Sequence, residues 1–410
     1  MKKESIIQFG EGNFLRGFVE PFVQSMNLAK TYEGHVVVIQ PLATGMVDRL
    51  NQQEGKYTLF IRGLKGSEVI NEQHTISVIS RGINPYQDFS NYLELAKNPD
   101  FRFVISNTTE SGIQVSDQDR FEDQPAQSFP GKLTQLLYAR FQAQLPGFIH
   151  LPCELIDDNG NELKKAVLEL AHRWNLGEDF VKWIHHENRF YNTLVDRIVT
   201  GYPRDEVESL RETINFDDQL INTTEVFNLW VIEGDAEEEL PLQKTGLNVV
   251  WTQDAKPYKQ RKVRILNGAH TALVPLAMLK GYTEVREALL DSKLNAQLKT
   301  IIFEEIIPSL DLPKEAMTDF ANAVIDRFLN PYIHHQLRSI ALNSYDKFKV
   351  RVMPSILSYH AKYNKYPKEL MEAFDAFYKF YQTEMVNDAQ DKIDFMRNHT
   401  KEEVFKALCE

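Results

Sequence analysis

Three observations predict an α/β chain with a Rossmann-type N-terminal domain over residues 1–250 and a mostly α-helical C-terminal domain over residues 251–410. A short buried strand, residues 5–9 (SIIQF), runs into a glycine turn and then a helical pattern. Further short apolar runs recur at residues 35–40 (HVVVIQ), 101–106 (FRFVIS) and 147–155 (GFIHLPCEL). After about residue 250 this strand-type patterning gives way to long helical periodicity. A chain of 410 residues also exceeds one ordinary core, so two domains are expected.

The first turn holds Gly10 and Gly12, with Gly17 further on and Leu15 where a third glycine is usual. Glycines there let the backbone approach a pyrophosphate at the start of a helix. Phe9, Gly10, Gly12, Asn13 and Phe14 are therefore candidate cofactor contacts. At the end of the second strand an acidic residue usually holds the adenosine ribose. Gln40 stands there and can still hydrogen-bond a hydroxyl. No arginine is adjacent to take a 2′-phosphate, so the pattern points to NAD rather than NADP.

Residues 57–62 and 69–79 read as β segments of an inserted region. The strand at 101–106 ends in Asn107-Thr108-Thr109-Glu110, a polar turn at a strand's carboxyl end, where ligands sit in such folds. Asn107, Thr108 and Glu110 are candidate contacts, and a capped helix start is the alternative. Residues 132–144 and 163–174 have amphipathic helix patterns, and 157–160 (DDNG) reads as a turn. Asp196 and Arg197 interrupt an apolar run as an internal ion pair or a site contact. Residues 224–234 read as one strand and 235–239 as a solvated acidic loop. Helices are expected over 284–307, 314–329, 331–342, 354–363, 368–381 and 402–408.

The stretch from 256 to 282 (KPYKQRKVRILNGAHTALVPLAMLKGY) carries the chemistry. Lys262, Asn267 and His270 sit inside a helical apolar pattern. At ~100° per residue, Asn267 lies ~140° and His270 ~80° round from Lys262, so the three line one broad side. A lysine can move a hydroxyl proton while an amide and an imidazole bind the oxygen. Lys256, Lys259, Arg261 and Arg264 surround Lys262, and like charges favour its neutral form. The bland alternative is a solvated basic turn with a histidine satisfied in the core.

Net charge −12 argues against a nucleic-acid or anionic-membrane partner and requires a local basic pocket for any anionic substrate. Such basic groups occur at 256–264 and at Lys347, Lys349 and Arg351, the latter either a solvated face or a binder of a sugar acid's carboxylate. The two cysteines, Cys153 and Cys409, make no metal or disulfide pattern and fit a reducing cytoplasm. Residues 1–10 have no signal-peptide run, and no stretch has the ~18 apolar residues of a membrane span. On a helix the adjacent His334 and His335 could not share a face, so no metal site is expected.

Taken together, IIQFGEGNFLRGF, the Lys262-x4-Asn267-x2-His270 spacing, SNTTESGI, LPCELIDDNG, NTLVDRIVTGYPRDE and RFLNPYIHHQLRSIALNSYDKF resemble the long-chain polyol and mannitol dehydrogenases, in particular a branch acting on hexuronates. The likeness runs from about residue 5 to about 360. It implies an NAD-dependent, metal-independent enzyme interconverting D-tagaturonate and D-altronate in hexuronate breakdown. Lys262 would be the general acid/base, with Asn267 and His270 on the reacting oxygen. Asp196, His335, Arg338 and Lys347 would meet the sugar acid, and Glu110 would relay protons. The chain departs from polyol-specific relatives at Leu155, where an asparagine is usual, and at Ser339, where an arginine is usual with Arg338 one place off. Fructuronate, mannitol or a mannitol phosphate are the alternative substrates, and a non-catalytic cofactor-binding protein is the alternative of another class. Oligomeric state is not legible.

Overall fold

The computed structural model describes residues 3–109 and 111–410. By compactness the chain divides into one unit of Met1–Arg62 with Asn71–Ala255 and a second of Gly63–Ile70 with Lys256–Glu410. The expected division near residue 250 moves to Ala255 because Val249–Thr252 forms a strand parallel to Leu229–Glu233.

The first unit is built on a six-stranded sheet. Its strands are β1 (Glu4–Phe9), β2 (His35–Ile39), β5 (Ile79–Ile83), β6 (Phe103–Ser106), β7 (Ile149–Pro152) and β8 (Arg189–Phe190), with β3 (Tyr57–Lys65) and β4 (Glu68–Ile76) lying in a second, four-stranded sheet. The six run parallel in the order β5-β2-β1-β6-β7-β8. Valine- and isoleucine-rich strands suit this arrangement because both faces are covered. Ile6, Val36, Val38, Phe103 and Ile105 face one core with Phe18, Phe22 and Trp230, while Ile7, Phe9, Val37, Ile39 and Val104 face the other with Leu133, Leu137 and Val167. Helices α1 (Asn13–Gly17) and α2 (Val19–Leu28) follow β1, and α3 (Phe129–Gln142) and α4 (Asn159–Arg173) supply the second face. The strand order reverses between β1 and β6, which is where doubly wound sheets hold ligands.

Two sequence expectations change in this unit. The β segment expected over 69–79 splits, and β5 joins the main sheet instead of an insertion. Its pattern, ISRGI, looks polar because Arg81 pairs with Glu4 at 2.9 and 3.0 Å, a partner far away in sequence. The single strand expected over 224–234 is two strands, Asn222–Glu225 and Leu229–Glu233, in different sheets.

His150 on β7 is fully buried, with Nε2 3.3 Å from Asn188 Oδ1 and its ring stacked on Phe190 at 4.1 Å. Burial pushes its pKa down to about 3. The unfolded chain takes up a proton below about pH 6.5 that the folded chain refuses. Stability from this group is therefore flat above that pH and falls as pH drops towards the folded value. At pH 5 the loss is about 2 kcal/mol relative to neutrality. Thermal melts of wild type and His150→Phe at pH 7 and 5 check this: the variant's melting temperature should fall less on acidification.

The second unit is helical. It begins with α5 (Lys256–Arg261), passes through a π-helical turn, Lys262–Asn267, and continues as α6 (Gly268–Met278). Its other main helices are α7 (Lys314–Phe328), α8 (Leu337–Ile340), α9 (Ser344–Arg351), α10 (Met353–Tyr363) and α11 (Lys368–Phe380). Leu370, Ala373, Phe374 and Phe377 recur at helical spacing on α11 and bury it against α6. Among the described residues no helix is long and apolar enough to cross a membrane.

Here too there are corrections. The helix expected over 284–307 breaks at Asp291, whose carboxylate accepts from the Lys293 and Leu294 amides at 2.7 and 3.1 Å and starts a new helix. The helix expected over 331–342 reduces to α8. Asn330 and Pro331 make a turn, with Asn330 Oδ1 accepting from the Tyr332 amide at 2.9 Å. The chain then runs extended, and Gln336 pairs antiparallel with Glu284.

Candidate active site

In the first unit the glycine turn is pinned at the switch point. Gly10 has φ +114° and donates to the Ile39 carbonyl at 3.0 Å. A Cβ there would lie 2.9 Å from the Asn107 carbonyl, so only glycine fits. A Cβ on Gly12 would meet nothing within 4 Å. The turn therefore leaves open space at the position where a pyrophosphate needs close backbone approach, and these residues fit a dinucleotide. Phe9 contributes backbone only, because its ring is in the core against Phe129 at 4.9 Å. Phe14 stacks on Phe18 at 5.1 Å, and Asn13 Oδ1 accepts from Arg16 at 2.7 Å.

A buried polar network that the sequence did not reveal supports this turn. Arg16 reaches the carbonyls of Glu11 at 3.1 Å and Leu220 at 2.5 Å. Gln8 on β1 donates to the Gly10 carbonyl at 2.9 Å and to Glu20 at 2.8 Å, and the Tyr57 hydroxyl lies 2.6 Å from both Glu20 and the Arg16 carbonyl. Burial pushes the Glu20 carboxyl up, and its two donors partly offset that shift.

Gln40 is not placed as its role at the ribose would require. Its amide donates to the Leu42 and Ala43 carbonyls at 2.9 and 3.3 Å, and its oxygen accepts from the Val47 amide at 3.3 Å. The side chain is occupied in shaping the loop after β2. A carboxyl does reach this loop, from Glu11 inside the glycine turn. Gly45 is squeezed between Glu11 and Gln40, and Glu11 accepts from the Met46 amide. Burial holds the Glu11 carboxyl above the usual range.

At the end of β6, Asn107 Nδ2 donates to the Cys153 carbonyl at 2.8 Å. The Thr108 amide and hydroxyl both donate to Glu154 at 3.0 Å, and Ser106 Oγ does so at 3.0 Å. Glu154 is buried, and burial pushes its pKa up. It fixes the polar turn, and nothing near it in the sequence signals that part. Leu155 follows it, exposed. Glu110 lies outside the described residues. Asp196 ends the strand Thr193–Asp196, buried, while Arg197 is spent on the carbonyls of Gly17 at 3.0 Å and Glu225 at 3.0 and 2.9 Å.

In the second unit Lys262 opens the π-turn and Asn267 closes it, both half-buried. The Gly268 amide donates to the Val263 carbonyl, five residues back. This corrects the regular-helix geometry. An i→i+5 turn sets residue i+5 nearly over residue i, so Asn267 comes round towards Lys262 instead of ~140° away. Arg264 anchors the turn from behind, donating to the hydroxyls of Ser355 at 2.7 Å and Ser309 at 3.2 Å; burial pushes it to about 10.

His270 follows one turn on. Its ring stacks on Phe328 at 4.0 Å and meets His335 edge-on at 4.8 Å. Its Nε2 is shielded from solvent and has no hydrogen-bond partner among the described residues. Burial, then the charges of His335, Arg327 and Arg351, drive its pKa well below the usual value, so the imidazole is neutral. The extended chain at 333–336 sends successive side chains to opposite sides. His335 turns to His270, while His334 turns to solvent, 3.3 Å from Glu284. Lys347 donates to the Ile340 carbonyl at 2.9 Å, and burial lowers its pKa. Arg338 is exposed on α8 and makes none of these contacts.

Gly268 couples the π-turn to α9. A Cβ there would lie 2.9 Å from the Arg351 carbonyl. In an open helix, alanine for glycine would stabilise by ~1 kcal/mol. Against a backbone carbonyl the clash should win, and we expect Gly268→Ala to cost roughly 1–3 kcal/mol. Thermal melts with parallel kcat/KM measurements check it; a raised melting temperature would contradict the close packing.

An open glycine turn fits a dinucleotide, and a lysine, an amide and an imidazole on one helical stretch suit chemistry at a carbonyl or a hydroxyl. The class of protein that needs both is the dinucleotide-dependent alcohol dehydrogenase. The comparisons with known proteins agree. The family model described as the mannitol dehydrogenase Rossmann domain matches residues 4–244, and that for the mannitol dehydrogenase C-terminal domain matches residues 254–407. The altronate oxidoreductase of Cronobacter sakazakii is 49% identical over 366 residues, 88% of this chain and 76% of that protein. That of Bacillus subtilis is 46% identical over 362 residues, 87% of this chain and 75% of that protein. Among solved structures, D-sorbitol dehydrogenase in substrate-free form superposes with TM-score 0.84 at 21% identity, covering 99% of this chain and 92% of its own. Pseudomonas fluorescens mannitol 2-dehydrogenase, in ternary complex with NAD and D-mannitol, gives TM-score 0.70 at 23% identity, covering 97% and 84%. The chain belongs to the mannitol dehydrogenase family.

Proposed function

We propose that this chain is an altronate oxidoreductase, catalysing the reversible NAD(H)-dependent reduction of the keto group of D-tagaturonate to D-altronate. One observation supports the chemistry: Lys262 and Asn267 bound one π-turn, and the buried Nε2 of His270, one turn on, has no hydrogen-bond partner among the described residues. The identity of 46–49% to altronate oxidoreductases over most of the chain supports the substrate.

The nicotinamide supplies the hydride when bound. Gly10, Gly12 and Asn13 would hold the pyrophosphate, Glu11 the adenosine ribose in place of Gln40, and Asn107 and Thr108 the nicotinamide end. Lys262, as ammonium, gives its proton to the carbonyl oxygen during reduction and takes it back in the reverse direction. Asn267 Nδ2–H and the neutral His270, in the tautomer protonated at Nε2, donate to the same oxygen as negative charge develops there. His335 and Lys347, whose ammonium keeps donors beyond the one on Ile340, would bind sugar oxygens; Asp196 and Arg338 join them on the family resemblance alone.

The test follows NADH absorbance with D-tagaturonate, D-fructuronate, D-fructose and fructose 6-phosphate side by side. Tagaturonate should give the highest kcat/KM. A faster reaction with either fructose compound, or no NADH consumption with any of the four, would sink the assignment.

A further inference from the structure

In a chain of net charge −12, the other buried and half-buried arginines are spent on partners. Arg16, Arg140 and Arg197 each hold several backbone carbonyls, Arg264 holds two hydroxyls, and Arg62 holds Glu206 at 2.6 Å. Arg351 differs. It is half-buried, yet it makes no hydrogen bond, ion pair or ring contact to any described residue. A desolvated guanidinium without a counter-charge is costly unless a ligand supplies one.

Its position says which ligand. Arg351 ends α9 four residues after Lys347, so the two side chains share a helix face. Its carbonyl packs on Gly268, next to Asn267 and two residues before His270. Its charge bears on both His270 and Lys347. A cation sits this close to the oxygen-binding groups with no described carboxylate of the protein in contact with it.

We propose that Arg351 binds the carboxylate of the sugar-acid substrate and is the residue by which this site selects an acid over a neutral sugar. This rests on the reaction proposed above. The guanidinium fork matches a carboxylate bidentately, and the Lys347 ammonium, a point charge with rotatable donors, would not impose that geometry alone. The carboxylate lies a few carbons from the keto carbon, so a cation on the helix that packs against Gly268 serves it while Lys262 serves the oxygen.

The experiment compares the full-length enzyme with Arg351→Met and Arg351→Lys, using NADH and two substrates: D-tagaturonate and D-tagatose, which carries a hydroxymethyl in place of the carboxylate. For Arg351→Met, kcat/KM with tagaturonate should drop about 100-fold, mostly through KM, while tagatose changes by less than about 3-fold. Arg351→Lys should recover part of the loss. Equal losses with both substrates, or an undiminished preference for the acid in Arg351→Met, overturn the assignment. A wild-type enzyme that does not prefer tagaturonate to tagatose overturns the proposed reaction itself, and this assignment with it.

Discussion

Replacing Lys262 with methionine is expected to lower kcat for tagaturonate reduction by roughly 100- to 10,000-fold, with KM changed little. Methionine keeps an unbranched stem of similar length, so the π-turn should persist, and only the proton carrier goes. The loss falls on kcat because the ammonium acts on charge that develops in the transition state and is nearly absent in the bound ketone. Steady-state kinetics at several pH values check this. Wild type should show an ionisation in its rate profile that Lys262→Met lacks. A variant with full rate, or with an unaltered profile, would mean that the proton comes from elsewhere.

Removing the imidazole should be nearly as severe. His270→Leu is expected to lose roughly 100- to 1,000-fold in kcat, the range seen when one donor to a developing oxyanion is deleted. The stacked Phe328 and the edge-on His335 leave space that leucine can fill without exposing a polar group, so the fold should survive. His270→Gln keeps an N–H donor and should recover part of the rate. The ring is held well below its usual pKa, so its protonation should not appear in the wild-type profile near neutrality. On the proposed mechanism the neutral form reacts, so activity is expected to fall only as pH drops through the lowered value. A His270→Leu enzyme within a few-fold of wild type would return this residue to a core histidine.

The legible and illegible parts of this chain differ in physical origin. Strands β1, β2 and β6 announce themselves as continuous apolar runs because both sheet faces are buried, and Gly10 because its φ and the Asn107 carbonyl exclude any side chain. The Lys262–Asn267–His270 spacing is visible too. The π-turn is not, because KVRILN has ordinary helical periodicity and the extra residue per turn depends on how Gly268 and Arg264 are held by distant segments. Glu11, Glu20 and Glu154 were missed for the same reason: each acquires its meaning from partners many residues away. Gln40 misled because position alone does not reveal that its amide is already used. Residues 331–336 read as helix from their patterning, but Asn330 and Pro331 make a turn and the pairing of Gln336 with Glu284 holds 333–336 extended, which places His335 on His270.

The most direct measurement is a crystal structure of the enzyme with NAD and D-altronate. Lys262 Nζ, Asn267 Nδ2 and His270 Nε2 should all lie within ~3.2 Å of one hydroxyl oxygen, the one on the carbon that faces the nicotinamide. If His270 Nε2 instead meets a different substrate oxygen, or if Lys262 grips the carboxylate, the three groups do not act on a single reacting centre and the account is wrong.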